Sequence, residues 1–247
     1  MENIFKDNLP RHIAVIMDGN GRWARRRLLN RINGHQKGVS AARDTVKWCS
    51  ELGISCLTLY TFSKENWMRP AAEVALLMKF LERHLKEEEK TLLENNIRFK
   101  AIGVVNDLPG SVQEAVRSLE AKTAKLTGMT LQLALSYSGR EEITRAAREI
   151  AKRAASGAIR PEDVTEEMVQ SFLYTAGCPD PDLLIRTSGE KRISNFLLWQ
   201  MAYTEIYVTD VLWPDFTREH LMQAIEDYGK RERRFGLVKE EKAAAVN

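Results

Sequence analysis

Apolar and polar residues follow one another along this chain in two alternating patterns. Short apolar runs that stop at turn residues predict β-strands, and longer stretches with apolar positions three and four apart predict helices. The predicted strands cover residues 11–17, 54–62, 97–104, 129–136, 183–185 and 205–208. The predicted helices cover residues 34–52, 70–95, 109–126, 139–156 and 165–174, and a last one begins at Thr217.

Repeated strand-then-helix units are typical of a parallel sheet whose strands are joined by right-handed crossovers. No linker or internal repeat divides the chain. We therefore expect an α/β fold with a single domain over residues 1–247, built on a mostly parallel central β-sheet flanked by helices. The Lys-, Glu- and Ala-rich tail from about residue 237 is expected to fray.

The predicted helix over residues 70–95 has two apolar stripes. One consists of Val74, Leu77, Met78, Leu81 and Leu85, and the second of Ala72, Leu76 and Phe80. Two apolar faces fit a helix packed between a sheet and a neighbouring helix, and they also fit a helix that walls an apolar cavity. At ~1.5 Å per residue the helix would be roughly 35 Å long, enough to flank a long hydrocarbon chain.

Composition narrows the function classes. With 44% hydrophobic residues, the chain can form one sizeable core, and 37 Lys and Arg against 34 Asp and Glu leave a net charge of only +3. This balance gives no overall case for binding nucleic acid. No apolar stretch is long enough to span a membrane, and the N-terminal residues are too polar for a signal peptide. Cys49, Cys56 and Cys178 have no metal-site or disulfide spacing, which fits a reducing cytoplasm.

The first predicted strand ends at a polar loop, Asp18-Gly19-Asn20-Gly21-Arg22-Trp23. Ligands of parallel α/β sheets bind at this edge, outside the carboxyl ends of the strands. Two glycines let backbone amides approach an anion, the aspartate could hold a divalent cation, and the arginine adds a charged donor. The loop lacks the spacing of the common nucleotide-binding motifs, and a purely structural turn is the alternative.

An arginine-rich segment follows this loop. It contains Arg22, Arg25, Arg26, Arg27 and Arg31, with His35 and Lys37 just beyond. A run of charges is usually a solvated surface, and this is our default interpretation of residues 25–27. Arg22 and Arg31 are better candidates for phosphate contacts, because they bracket the run beside the glycine turn.

Two more polar clusters follow predicted strands. Residues 63–70 combine a hydroxyl, an amide, a carboxylate, an indole and a guanidinium, although a capped loop leading into the long helix is the alternative. Residues 186–195 bring two further arginines with hydroxyl groups and a glycine. Glu205 lies in a mostly apolar segment, so a cation or an arginine should compensate its charge. Together these clusters and the apolar helix suggest a site for a diphosphate attached to an apolar chain.

Four segments closely resemble the cis-prenyltransferase family, and within it the bacterial undecaprenyl diphosphate synthases. They are HIAVIMDGNGRWA at 12–24, LTLYTFSKENWMRP at 57–70, DLLIRTSGEKRISNFLLWQ at 182–200 and YTEIYVTDVLWPDF at 203–216. The resemblance runs from about residue 10 to Gly236. The aspartate-rich D-D-x-x-D motif of trans-prenyltransferases is absent, which argues against that other way of building prenyl chains.

The resemblance implies an activity. Such an enzyme uses Mg²⁺ to condense isopentenyl diphosphate repeatedly onto an allylic diphosphate, typically farnesyl diphosphate, with each new double bond cis. The expected product is a long-chain cis-polyprenyl diphosphate, undecaprenyl diphosphate, the lipid carrier precursor for cell-wall polysaccharide synthesis. The expected enzyme is a cytoplasmic homodimer that works at the membrane surface and delivers its product to the membrane, and it has a hydrophobic tunnel between sheet and helices.

The resemblance also implies roles for single residues. Asp18 would coordinate Mg²⁺, with Glu205 as a further metal ligand. The allylic diphosphate would be cradled by Gly19, Asn20, Gly21, Arg22, Arg31 and His35, with Trp23 against the prenyl group. A mobile loop over the substrates would contain Ser63, Lys64, Glu65, Trp67 and Arg69. Isopentenyl diphosphate would be held by Arg186, Arg192, Ile193 and Ser194.

Asn66 is assigned in the family to the step that removes a proton. An amide is a poor base, so we expect Asn66 to position the proton acceptor, either water or a phosphate oxygen, rather than to accept the proton itself. No nucleophilic triad is predicted, because the four histidines are scattered and no G-x-S-x-G motif occurs.

Two other functions stay open at this point. A non-catalytic subunit of the same fold could support a catalytic partner, but it could lose Asp18, Arg22, Arg31 and Glu205, all of which are present. A binding protein or hydrolase for phosphorylated lipids would release phosphate without forming a carbon–carbon bond. For the tunnel we expect residues 131–135 and the stripe of Ala72, Leu76 and Phe80 to form floor and wall, so that Ala72→Leu would shorten the products.

Overall fold

A central parallel sheet organises the molecule, and the computed structural model describes residues 8–232. Its six strands lie in the order β3-β4-β2-β1-β5-β6, and every neighbouring pair is parallel. The strands are β1 His12–Ile16, β2 Cys56–Ser63, β3 Arg98–Ile102, β4 Thr130–Tyr137, β5 Leu183–Arg186 and β6 Glu205–Val208. The α/β fold with a parallel sheet is thus confirmed.

Eight α-helices accompany the sheet within the described residues. They are α1 Asn20–Arg26, α2 Arg31–Glu51, α3 Ala71–Glu87, α4 Glu89–Glu94, α5 Gly110–Thr123, α6 Gly139–Ala155, α7 Glu166–Ser171 and α8 Arg218–Gly229. None of the helices in residues 8–232 is both long and apolar enough to cross a membrane. The tail that we expected to fray lies outside the described residues.

The two faces of the sheet bury different cores, because successive strand side chains point to opposite sides. On one face Ile13, Val15, Leu57 and Leu59 belong to the larger core, which includes residues of α2, α3, α5 and α8. On the other face a smaller core includes the strand residues Ala14, Ile16 and Leu184, with Phe196 and Leu197 from the β5–β6 connection.

Beside β1 lies a switch point of the topology. The chain leaves β1 towards α1, α2 and β2, whereas β5, on the other side of β1, leads to the 187–204 connection that packs on the opposite face. A crevice forms where neighbouring strands send their connections to opposite faces, and ligands bind there. The loops that begin at Asp18 and Thr187 flank this crevice.

Helices α1 to α4 differ most from the prediction. The segment after β1 is not only a turn: Gly19 takes a φ of +111°, and α1 begins at once at Asn20. The next helix begins at Arg31 rather than near Gly34. The long helix over 70–95 is two helices, because the chain turns at Glu88 and α4 then places Leu92 in the larger core.

Candidate active site

Arg186 lies at the floor of the crevice. It ends β5 in register with Ile16 of β1, and only 3% of its surface is exposed. Its Nη2 donates to Asp18 Oδ2 at 2.9 Å, and its Nη1 donates to Ser194 Oγ at 2.9 Å and to the carbonyl of Arg192. The Nε of Arg186 is buried with no partner among the described residues, so this guanidinium has an unused donor.

Thr187 fixes the position of Asp18. The Asp18 N–H donates to Thr187 Oγ1 at 2.9 Å, and that hydroxyl donates to the Asp18 carbonyl at 2.6 Å. The two loops that leave β1 and β5 are therefore joined by the Thr187 hydroxyl on the Asp18 backbone as well as by the Asp18–Arg186 ion pair.

A second arginine approaches the same carboxylate from α1. Arg22 Nη2 lies 3.5 Å from Asp18 Oδ2 and 3.2 Å from Glu190 Oε1, and Nη1 donates to the Ser188 carbonyl at 3.1 Å. Arg192 pairs with the other oxygen of Glu190. Three arginines thus converge on two carboxylates, which leaves a net positive charge at this end of the crevice.

Glu73 in the first turn of α3 organises a second basic cluster. Its carboxylate lies 3.2 Å from Arg31 Nη1, 3.3 Å from Arg69 Nη1 and 3.9 Å from His35 Nε2. Burial, together with the nearby charge of Arg69, lowers the pKa of His35 to about 4, although Glu73 opposes the shift. His35 is therefore neutral near pH 7, and the two arginines supply the charge of this cluster.

A 3₁₀ turn over Lys64–Met68 carries the loop that was predicted to close over the substrates. The Ser63 N–H donates to Asn66 Oδ1 at 3.2 Å, and Trp67 Nε1 donates to Ser136 Oγ at 2.9 Å. Glu65 accepts from Asn195 Nδ2 at 2.8 Å. Burial would raise the pKa of Glu65, but hydrogen bonds, first that from Asn195, outweigh it and lower the pKa.

A cavity of about 1180 Å³ extends from these polar groups between the sheet and helices α2 and α3. Its middle is apolar and is lined by Val39, Ala42, Val46, Leu59, Leu77, Phe80, Leu81, Leu131 and Leu133. Polar side chains away from the three loops, including Arg43, His84 and Glu88, also line it. The expected hydrophobic tunnel is thus present, with charged groups at one end and an apolar lining beside them.

The tunnel wall differs in part from the prediction. Phe80, Leu131 and Leu133 line the cavity as expected. Ala72 and Leu76 do not, because Ala72 is exposed to solvent and Leu77, Leu81 and His84 take the inner face of α3. The expectation that Ala72→Leu would shorten the products therefore loses its structural basis.

The cavity brings together residues from all three polar loops. Those that line it are Asp18, Asn20, His35, Ser63, Glu65, Asn66, Arg69, Arg186, Arg192 and Ser194. Arg22 and Arg31 adjoin it through their contacts with Asp18 and Glu73. Arg31 also lies over Gly21, where a Cβ would stand 3.0 Å from its Nε.

Other predicted residues lie outside this set. Trp23 donates to Asp215 Oδ1 at 2.7 Å with Arg27 stacked 4.2 Å from its ring centroid, so the structure does not place its ring in the cavity. Lys64 lies 3.9 Å from Asp107, and Ile193 packs on the smaller core.

Glu205, which the resemblance implied as a further metal ligand, does not lie beside Asp18 of its own chain. It begins β6 in register with Leu183 and, through it, with Ile13, whereas Asp18 lies five residues beyond Ile13. At ~3.3 Å per strand residue the two are about 16 Å apart along the strands, so the two carboxylates of one chain cannot share an ion. The charge of Glu205 is instead compensated by Arg231, whose Nη1 donates to Oε2 at 2.7 Å.

Glu73 and Ser188 are site residues that the sequence analysis missed. Glu73 stands four positions after Arg69 in the first turn of a helix, a spacing that signals an ion pair, and this signal could have found it. Ser188 accepts from Arg22 across 166 positions of the chain, and no local pattern announces such a contact.

The chain is similar to known proteins over nearly its whole length. A prenyltransferase family model described as undecaprenyl diphosphate synthase matches residues 16–236. An isoprenyl transferase from Geobacter sulfurreducens is 54% identical over 236 residues, which cover 96% of each chain. A crystal structure of lavandulyl diphosphate synthase from Lavandula x intermedia with dimethylallyl diphosphate superposes with a TM-score of 0.91 at 40% identity, covering 94% of this chain and 100% of that one. A probable undecaprenyl diphosphate synthase from Campylobacter jejuni gives a TM-score of 0.76 at 36% identity, covering 93% and 99%.

Proposed function

The chain belongs to the undecaprenyl diphosphate synthase family of prenyltransferases, and from this we propose a specific reaction for it. It condenses isopentenyl diphosphate units, with Mg²⁺, onto farnesyl diphosphate to make a long-chain cis-polyprenyl diphosphate, undecaprenyl diphosphate. In each step the bond between the allylic carbon and its diphosphate breaks, and the electron pair leaves with the diphosphate. The double bond of isopentenyl diphosphate forms the new carbon–carbon bond, and a proton is then lost.

The observation that carries the proposal is the polarity of the cavity along its length. Arginines converge at one end, and an apolar lining that includes Val39 and Leu133 lies beside them. A ligand that fits such a space has a highly charged head and a long hydrocarbon tail. Prenyl diphosphates have this shape, and a chain that grows at its head can advance its tail along the apolar lining.

We assign the two basic clusters to two diphosphates. The allylic diphosphate binds with residues 19–22, Arg31 and His35, while isopentenyl diphosphate binds with Arg186, Arg192 and Ser194. Asp18 lies between the two groups, since its Oδ2 is near both Arg22 and Arg186. Preorganised guanidinium groups stabilise the charge that develops on a departing diphosphate.

Asp18 suits Mg²⁺ provided that a diphosphate shares the ion. Proteins commonly bind Mg²⁺ through one or two carboxylates together with substrate phosphates. Within residues 8–232 no cluster of three acidic, histidine or cysteine side chains forms a metal site by itself. Both arginines near Asp18 contact Oδ2, which leaves Oδ1 for a cation. When bound there, Mg²⁺ would neutralise charge on the leaving diphosphate.

Asn66 acts as a positioning donor in the proton-removal step. Its Oδ1 already accepts the Ser63 N–H, so the amide has its NH₂ group left to offer. An NH₂ group can hold a water molecule or a phosphate oxygen but cannot take up a proton. The proton acceptor is therefore one of those two groups.

We also propose a homodimer that acts in the cytoplasm at the membrane surface. The dimer is supported by the edge strand β6. Ile206 in this strand and Tyr203 just before it expose large apolar side chains. An exposed apolar edge strand is a template for pairing with a second chain.

A second candidate is the coupling of short allylic diphosphates with each other. The close superposition on lavandulyl diphosphate synthase with bound dimethylallyl diphosphate favours it. Such a short product would leave most of the apolar lining unused.

A product assay tests the proposal. The protein is incubated with Mg²⁺, farnesyl diphosphate and labelled isopentenyl diphosphate, and butanol extracts are counted. Labelled long-chain product is expected, and its absence would sink the proposal. A parallel incubation with labelled dimethylallyl diphosphate alone should give no prenyl product; a coupled product in that arm would favour the second candidate.

A further inference from the structure

The turn between α1 and α2 contains an apolar residue, Leu28, that neither the backbone conformation nor the packing of the core requires. Leu28 is 97% exposed and has a φ of +56°. The Leu28 N–H donates to the Arg25 carbonyl at 3.2 Å and the Leu29 N–H to the Ala24 carbonyl at 2.9 Å. This is the Schellman ending of a helix, in which Leu28 occupies the left-handed position that glycine fills at least cost. A leucine there is unfavourable for the fold and contributes nothing to the core.

Further apolar side chains are exposed beside Leu28. Leu29 and Ile32 are large hydrophobics open to solvent, and Met68 is 90% exposed. Met68 precedes Arg69, which shares Glu73 with Arg31, so Met68 and Ile32 flank the same ion-pair cluster. We call Arg25, Arg26, Leu28, Leu29 and Ile32 the Leu28 surface, with Met68 as its neighbour across that cluster.

The charges of this surface are unpaired within residues 8–232. Arg25 and Arg26 are exposed and form no ion pair there, whereas Arg27 is held by Asp215 and Trp23. Basic residues in the last turn of a helix are favourable for its dipole, which explains arginines at these positions. It does not explain the exposed leucines between them and Arg31.

The location of the surface suggests its partner. The Leu28 surface lies in the stretch of chain between Arg22 and Arg31 and just after it. Both of these arginines adjoin the charged end of the cavity. A polyprenyl product that left this cavity for water would expose its whole hydrocarbon chain. We propose that the Leu28 surface docks on an anionic lipid bilayer, with Leu28 and Leu29 among the acyl chains and Arg25 and Arg26 on the lipid phosphates.

The reason for docking rests on the proposed function, but the docking itself can be measured without substrates. The full chain is sedimented with vesicles of phosphatidylglycerol and phosphatidylcholine, and with vesicles of phosphatidylcholine alone. We expect binding to the mixed vesicles that weakens as salt is raised. Binding equal on both kinds of vesicle, or on neither, would overturn the proposal.

Leu28→Gly is the sharpest variant, because glycine suits the left-handed position and the fold should be as stable or more stable. We expect at least about tenfold weaker binding to mixed vesicles, since one inserted leucine is lost. The matched control is Leu93→Asn, which removes an exposed leucine of α4 and should bind as the unchanged protein does.

Arg25→Gln with Arg26→Gln tests the charged half of the surface. Each arginine near an anionic membrane is worth about fivefold in affinity, so the double variant should bind more than about tenfold more weakly. Its control is Lys125→Gln with Arg148→Gln, which removes the same charge from two exposed residues that form no ion pair within 4.0 Å among the described residues. If the test variants bind as well as their controls, the surface is not the docking site.

An assay of prenyl transfer in detergent solution distinguishes a failure of the docking proposal from a failure of the proposed function. All four variants should keep the activity of the unchanged protein there, because none alters a residue assigned to the substrates. If the protein is active but does not bind vesicles, only the docking proposal is overturned. If it binds vesicles but is inactive, only the proposed function is overturned. Self-association that requires Leu28 in the absence of vesicles would assign the surface to a second copy instead and overturn the proposal.

Discussion

At the scale of single residues, the site depends on a buried arginine whose charge is balanced only in part. Arg186 is closed off from solvent and, in the part of the chain that the structure describes, has one carboxylate partner, Asp18, which Arg22 also approaches. Burying a guanidinium is costly unless its charge and donors are satisfied. The unused Nε and the nearby Arg192 make an anion the group that completes this environment.

Asp18→Asn separates charge balance from catalysis. Turnover should fall by at least about 10²-fold, because the carboxylate that organises the departing diphosphate is lost. Inorganic pyrophosphate without Mg²⁺ should bind at least as tightly as before, because a negative charge has been removed from beside two arginines. Calorimetry and initial rates measure the two effects, with Asp163→Asn as a surface control. Turnover close to that of the unchanged protein would contradict the role of Asp18.

The lowered pKa of His35 predicts how the stability of the fold depends on pH. Burial, with Arg69 and Arg31 nearby, lowers its pKa to about 4, so below the ordinary value of 6.5 its protonation opposes folding. This contribution to stability is complete above pH 6.5 and is lost as pH falls towards 4. Pyrophosphate in the cavity should raise the pKa of His35, because an added negative charge favours the imidazolium ion.

Ring nitrogen NMR shifts measure this change directly. His12 is the internal control, since burial also lowers its pKa to about 4, but it bonds Thr58 and the Pro179 carbonyl away from the cavity. Its pKa should not change with pyrophosphate. A His35 that titrates near 6.5 in the free protein would contradict the structure.

At the scale of elements, the contact between α1 and α2 holds the first loop in place. A Cβ on Gly34 would stand 2.1 Å from the Asn20 carbonyl oxygen, and one on Gly38 would stand 2.3 Å from Asn20 Oδ1. The two helices meet this closely only because both positions lack side chains. The contact sets where residues 20–22 lie relative to Arg31.

Gly34→Ala should therefore destabilise the fold by about 1–3 kcal/mol, because the obstructing atom belongs to the backbone and cannot rotate away. Pyrophosphate affinity should fall as well, since residues 20–22 must shift. Gly110→Ala is the control, because the added Cβ would meet no atom within 4 Å beyond its own helix backbone and chain neighbours, and it should be neutral or slightly stabilising. Urea unfolding compares the two, and equal midpoints would show that α1 and α2 are not packed so closely.

The sequence predicts elements well where a local pattern decides them. The strands were recognised because apolar runs such as 12–16 stop at turn residues. The missed helix α1 begins between two glycines that are equally typical of a turn. The break at Glu88 lies within Lys86–Lys90, all good helix formers, so only packing of Leu92 into the core reveals it.

Partners that are distant in the chain mark the limit of sequence reasoning. The burial of Glu205 correctly called for a compensating charge, but sequence could not choose between a cation and Arg231. Likewise Trp23 was expected against a prenyl group, while its partner Asp215 lies 192 positions away. The sequence motifs identify the candidate site residues. The register of β1, β5 and β6 decides which of these residues lie close together.

At the scale of the whole molecule, the cavity that opens at the charged carboxyl edge of the sheet has a second polar part. There Arg43 Nε donates to Glu88 Oε1 at 2.5 Å, between α2 and the turn before α4. A hydrocarbon tail gains nothing by displacing polar groups from their partners. Product length should therefore be limited where the apolar lining ends.

Arg43→Leu with Glu88→Leu should shift the products towards longer chains, since the lining then stays apolar to the surface. Lys90→Leu with Glu94→Leu is the control, because it removes an ion pair of α4 that does not line the cavity. Chromatography of the dephosphorylated products measures the lengths. An unchanged distribution in the first variant would remove this part of the cavity from length control.

The central claim is that the product chain grows inside this one cavity, and product mass spectrometry of two alanine variants tests it most directly. Ala42 lines the cavity from α2, whereas Ala72 on α3 is exposed and does not line it. Both changes to leucine add the same volume. The account predicts shorter products from Ala42→Leu and an unchanged distribution from Ala72→Leu. Unchanged products from Ala42→Leu, or shortened products from Ala72→Leu, would contradict it.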